Sequence, residues 1–123
     1  NTNSGNCSII GGGESNIVGG NNSIVVGGSS NSASAALSTI VGGTLNTASA
    51  ACTFIGGGSN NKINNTFRSG SVIVGGQNNN TTSGYYPGPN FKNTFIGGGF
   101  CNTISSYGFA FLGGGANNTI SAG

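Results

Sequence analysis

The feature that most constrains this chain is a recurrence. A Gly-Gly pair followed three residues later by Asn returns every 15 residues: Gly12-Gly13 with Asn16, Gly27-Gly28 with Asn31, Gly42-Gly43 with Asn46, and Gly57-Gly58 with Asn61. It returns again at Gly75-Gly76 with Asn79, Gly98-Gly99 with Asn102 and Gly114-Gly115 with Asn118, at intervals of 18, 23 and 16. Seven copies of one short unit point to a repeat architecture, because a unit this small cannot bury its own inner face but stacked copies can.

Within each unit the side chains repeat by column. Two residues before the first Gly stand Ile10, Val25, Ile40, Ile55, Ile73, Ile96 and Leu112, and four before it stand Ser8, Ser23, Ser38, Thr53, Ser71, Thr94 and Ala110. Six after it stand Val18, Ala33, Ala48, Ile63, Thr81, Ile104 and Ile120. A spacing of two is the period of strands, not helices. The reading is all-β: a parallel β-solenoid of about seven coils, each with two short strands and two tight corners, forming a single domain over residues 1–123. At a strand spacing of about 4.7–4.9 Å the rod would be on the order of 30 Å long. Residues 1–7 read as a polar lead-in. The corner glycines Gly12, Gly27, Gly42, Gly57, Gly75, Gly98 and Gly114 suit positive φ and close backbone approach. The column Asn16, Asn31, Asn46, Asn61, Asn79, Asn102 and Asn118 suits a ladder of amides bonded from coil to coil.

A further column stands three residues before the Gly pair: Ile9, Ile24, Thr39, Phe54, Val72, Phe95 and Phe111. It must point opposite to the aliphatic column beside it, and a strand apolar on both faces is buried on both faces. Copies of the same chain would cover the outer face most economically. The other reading is an apolar strip tolerated on a monomer.

Composition removes most chemistry. Glu14 is the only acid, Lys62, Arg68 and Lys92 are the only bases, and there is no His, Asp, Met or Trp. General acid–base catalysis and hydrolytic triads draw on residues that are missing here, so an enzyme is the last reading and no cofactor is expected. A net charge of +2 is too small for non-specific nucleic-acid binding. No apolar run approaches the roughly 20 residues of a membrane span, so no membrane insertion is expected within this chain. The first residues lack the charged and apolar regions of a signal peptide. Residue 1 is Asn rather than Met, which reads as a processed chain or a piece of a longer one.

The repeat lengthens twice, near residues 64–70 and near 83–93, at the same place in the unit. In a stacked rod the two insertions occupy one corner of adjacent coils, where solenoids tend to build binding faces. They gather Arg68, Tyr85, Tyr86, Phe91 and Lys92, the one candidate ligand site, suited to an acidic sugar or phosphate. A loop stiffened by Pro87 and Pro89, with its aromatics sealing the roll or a subunit seam, is the competing reading. Cys7 and Cys52 share a column three coils apart, about 14 Å at 4.8 Å per coil, beyond disulfide reach. Cys101 belongs to another corner. An odd count leaves an intersubunit bond open, small apolar filling is the alternative, and three Cys without His argue against a metal site. Asn6, Asn21, Asn64, Asn79, Asn80 and Asn117 begin N-x-[ST] triplets. This pattern arises by chance in so polar a chain, and glycans would be confined to corner positions such as Asn6, Asn21, Asn64, Asn80 and Asn117.

Segments such as SYGFAFLGGGANNTIS and SVIVGGQNNNTTSG resemble the head repeats of trimeric autotransporter adhesins and are similar to repeats in phage and giant-virus fibre proteins. The resemblance covers nearly the whole chain and implies a left-handed parallel β-roll with three chains per assembly. Larger aliphatics, doubled or tripled Gly and more abundant Asn distinguish this chain. The expected role is a structural segment of an extracellular or virion-surface fibre, spike or adhesin. Its partners would be its own copies, as a homotrimer and by end-to-end stacking at uncapped coils, and a host-surface glycan at the decorated corner. An ice-binding solenoid and a self-stacking extracellular filament are the alternatives.

Overall fold

The computed structural model describes residues 1–65, 69–82, 93–106 and 108–121. Its strands form two sheets, all parallel. The first runs β1 (Thr2–Asn3), β3 (Ile17–Val18), β5 (Ser32–Ala33), β7 (Thr47–Ala48), β9 (Lys62–Asn64), β11 (Asn80–Thr82), β13 (Thr103–Ser105) and β15 (Thr119–Ser121). The second runs β2 (Ile9–Ile10), β4 (Ile24–Val25), β6 (Thr39–Ile40), β8 (Phe54–Ile55), β10 (Val72–Ile73), β12 (Thr94–Ile96) and β14 (Ala110–Leu112). Even strands pair only with even and odd only with odd, so the chain alternates between the sheets as it winds. The protein is a parallel β-solenoid of about seven coils, with no helix among the described residues.

Register follows the sequence period. Val25 lies between Ile10 and Ile40, and Ala48 lies between Ala33 and Ile63. A third line of backbone pairs, Glu14, Ser29, Thr44, Ser59, Gln77, Phe100 and Ala116, runs through the glycine corner. The core is one thin column between the sheets, in which Val18, Val25, Ala33, Ile40, Ala48, Ile55, Ile63, Ile73, Ile96 and Ile104 are wholly buried.

Two expectations shift. The first residues are not only a lead-in: β1 pairs with β3, and Asn1, 15 residues before Asn16, occupies the Asn column, where its Oδ1 accepts the Asn16 N–H at 3.0 Å. Of the two glycines it is the second that is left-handed in every coil, with φ of 82–99° from Gly13 to Gly115, and the residue two positions on, from Ser15 to Asn117, is left-handed as well. Gly12, Gly27, Gly42 and Gly75 lie outside the left-handed region, and a Cβ there would meet nothing within 4 Å. Gly57, Gly98 and Gly114, each the middle of a Gly triplet, have φ of 151°, 144° and 153°. Spacing could not separate the two glycines, because what distinguishes them is the neighbouring coil. A Cβ on Gly43 would stand 2.1 Å from the carbonyl oxygen of Gly58.

Candidate functional site: two opposed faces

The internal ladders determine which side chains remain for the outside. In each regular coil the Asn carboxamide is fully engaged. Asn46 donates from Nδ2 to the Gly42 carbonyl of its own coil and to the Gly58 carbonyl of the next, both at 3.0 Å, while its Oδ1 accepts the Asn61 N–H at 3.0 Å. Direct amide-to-amide bonds are secondary, as at Asn31 to Asn16 (3.2 Å) and Asn79 to Asn61 (3.1 Å). The column is mainly a clamp of side chain on backbone, which satisfies polar groups that burial would otherwise orphan. The inner Ser/Thr column does the same at the opposite corner: Ser38 donates to the Ala35 carbonyl at 2.6 Å, and Thr53 to Ala50 at 2.7 Å.

With these groups consumed, each sheet turns a different outer surface to solvent. On the second sheet the outer surface is apolar along the whole rod. Ile9 is 56% exposed, Phe54 38% and Phe111 70%, with Ile24, Thr39, Val72 and Phe95 half-buried. Val26, Val41 and Val74, two residues further on, are exposed beside them. Wherever the first of these outward positions is Phe, the second is Gly: Phe54 with Gly56, Phe95 with Gly97, Phe111 with Gly113. A Cβ on each such glycine would stand 3.4–3.6 Å from the ring's Cε1. The ring covers the glycine, as aromatics do on designed sheets. Phe95 and Phe111 stack with centroids 5.0 Å apart and planes within 4°. Three of the four Gly triplets thus lie under a ring, while Gly11–Gly13 follows Ile9, and the column analysis did not use this pairing.

On the first sheet the outward pairs are hydroxyl-rich: Thr2 with Ser4, Ser32 with Ser34, Thr47 with Ser49, Thr103 with Ser105, Thr119 with Ser121, and Thr82 beside Asn80. None of these hydroxyls bonds to another group of the chain among the described residues, in contrast to the inner Ser/Thr column. Ile17 with Gly19 and Lys62 with Asn64 interrupt the rows. The two surfaces back onto one core, so the rod is amphipathic across its thickness.

Arg68, Tyr85, Tyr86, Phe91 and Lys92 lie outside the described residues. Coils five and six, from which the insertions leave, are described up to Asn65 and Thr82. Cys7 and Cys52 are exposed free thiols, both left-handed at one corner (φ 53° and 61°), and Cys101 occupies the equivalent left-handed position at the glycine corner. Among the described residues no group of three acidic, Cys or His side chains gathers to hold a metal. Of the triplet asparagines, Asn6, Asn21, Asn64 and Asn117 are exposed, Asn80 is half-buried, and Asn79 is sealed in the ladder. No family model matches the chain, and no curated protein matches its sequence.

Proposed function

We propose that this chain is a rigid structural segment of a fibre, spike or adhesin displayed on a cell or virion surface, in which three copies pack through the outer face of the second sheet. The observation that carries this reading is the apolar face that runs from Ile9 to Phe111 with Thr39 as the one hydroxyl in its column. At roughly 150–250 Å² per large side chain, its exposed fraction amounts to ~700 Å² per copy. Typical monomers expose patches of about 300–600 Å², and a partner in a standard interface contributes about 800 Å². The face also lacks charge, which suits a surface desolvated on assembly. The resemblance to adhesin head repeats adds the three-fold assembly and the left hand of the coil. The corner insertions, with Arg68, Tyr85, Tyr86, Phe91 and Lys92, would then serve to bind a host-surface glycan.

Light scattering or sedimentation tests this directly, with an expected mass of three times the 11.9 kDa chain. Val41→Lys, on an exposed position, should release monomers that keep their β spectrum. A monomeric native chain overturns the reading.

The hydroxyl rows of the first sheet favour a second reading, an ice-binding solenoid. Hydroxyls repeat about every 4.8 Å from coil to coil and about 6.6 Å along a strand, a two-dimensional array able to order water. Thermal hysteresis that disappears in Thr47→Lys supports it, and unshaped ice crystals refute it.

A further inference from the structure

The interior is not uniform. In the column Val18, Ala33, Ala48, Ile63, Thr81, Ile104 and Ile120, Thr81 is the one hydroxyl. It is wholly buried, and its Oγ1 has no hydrogen-bond partner among the described residues. One coil earlier, Asn65 occupies the inner position held by Gly20, Ala35 and Ala50 in the preceding coils. It is 4% exposed, and its Nδ2 donates to Ser69 Oγ and Ser71 Oγ, both at 3.1 Å, while its Oδ1, like the Oδ1 of Asn80 beside Thr81, has no partner among the described residues. Thr94 Oγ1 is bonded to Ser71 Oγ at 2.9 Å. Coils three and four carry Ala at this inner corner; coils five and six carry a polar cluster.

The orphans are neighbours. Thr81 is in register with Ile63, and Asn65 is two residues beyond Ile63 on the same inner face. One strand spacing and two residues of rise separate their Cα atoms by about 8 Å, and both side chains point into the coil. Two acceptors without donors, on side chains reaching inward from Cα atoms so spaced, suit one bridging molecule, since a water donating twice spans about 4.5 Å between acceptor oxygens. Buried waters sit where two to four polar groups converge. The Ser69 hydroxyl, which accepts from the same Asn65 side chain, would donate to that water, and the only acid, Glu14, lies several coils away, so no carboxylate here balances a cation.

We propose that the rod holds an ordered water between Asn65 Oδ1 and Thr81 Oγ1, a hydrated joint at the level where both insertions leave the solenoid. It ties β9 to β11 in place of the dry contact made by Ala and Ile elsewhere.

Thr81→Val decides the matter by the sign of its effect. If the water is present, the variant removes one of its partners and strands Asn65, so Tm falls by several degrees; adding Asn65→Ala recovers part of that loss. If the space is dry and empty, Thr81→Val removes an orphan and completes an aliphatic column, so Tm rises and the proposal fails. A readout on the native chain is independent of variant folding. Long-lived water protons cross-relaxing with the Asn65 side-chain amide support the joint, and their absence overturns it. A Tm that depends on whether Li⁺, Na⁺ or K⁺ is supplied at fixed ionic strength also overturns it, in favour of a cation.

Discussion

Two adjacent glycines should respond oppositely to the same substitution. In Gly43→Ala the new Cβ falls 2.1 Å from the Gly58 carbonyl oxygen and 2.8 Å from the Gly58 nitrogen, at φ of 84°. Left-handed backbone costs an L-residue about 1–2 kcal/mol. Relief of the clash requires the coils to separate by about an ångström, since a Cβ needs some 3 Å or more. That movement stretches the Thr44 N–H to Gly58 bond (2.9 Å) and the Asn46 Nδ2 to Gly58 bond (3.0 Å) beyond useful length. A buried group left unpaired costs about 1–3 kcal/mol. The expected loss is about 3–6 kcal/mol, a large part of the 5–15 kcal/mol that holds a domain. At roughly 3–5 °C per kcal/mol for this size, Tm should drop by roughly 10–25 °C. Gly42→Ala meets nothing within 4 Å and should stay within about 0.5 kcal/mol. Thermal and urea unfolding of the pair, read by circular dichroism, is the assay. Because each coil contacts only its neighbours, amide exchange should show protection lost first in β6 and β8. Equal destabilisation by both variants, or a Gly43→Ala loss below 1 kcal/mol, refutes the assignment of the close approach to the second glycine.

Leu45 is left-handed at φ 60° and 54% exposed, in a column where Asn60, Asn78 and Asn117 do the same job. Asn tolerates that conformation better, so Leu45→Asn should raise stability by about 0.5–1 kcal/mol in urea titrations; a loss would show that Leu45 packs against something. Asn46→Ala removes three bonds at a fully buried site and should cost about 3–5 kcal/mol, against less than about 0.5 kcal/mol for Asn64→Ala at an exposed strand position. The ladders are neutral, so Tm should change little between low and high salt; a steep salt dependence would place unrecognised charge in the fold. Replacing Tyr85, Tyr86 and Lys92 together by Ala should leave Tm nearly unchanged while abolishing binding on a glycan array. A large fall in Tm would mark them as packing residues.

Much of this architecture was legible because a strand's side-chain alternation is local. A spacing of two sends Ser38 and Ile40 inward and Thr39 outward whatever surrounds them, and a period of 15 stacks like on like, so the coil, the buried aliphatics and the Asn column follow from residue order. The interruptions were legible for the same reason. Which surfaces would oppose one another was less so: the outward Phe/Val column and the outward Thr/Ser rows were both readable as columns, but their placement on opposite sheets depends on how the chain turns at its corners.

What residue order determined by itself is the winding and the identity of each column. Only the tertiary structure decided which glycine must lack a Cβ, where the Asn amides spend their hydrogen bonds, and that Asn1 belongs to their ladder. It alone left Asn65 Oδ1 and Thr81 Oγ1 without partners among the described residues. The reason is one of range. Alternation is set by a residue and its chain neighbours, whereas close approach and hydrogen-bond satisfaction are set by a coil 15 or more residues away, and spacing alone does not say which of its atoms will come near.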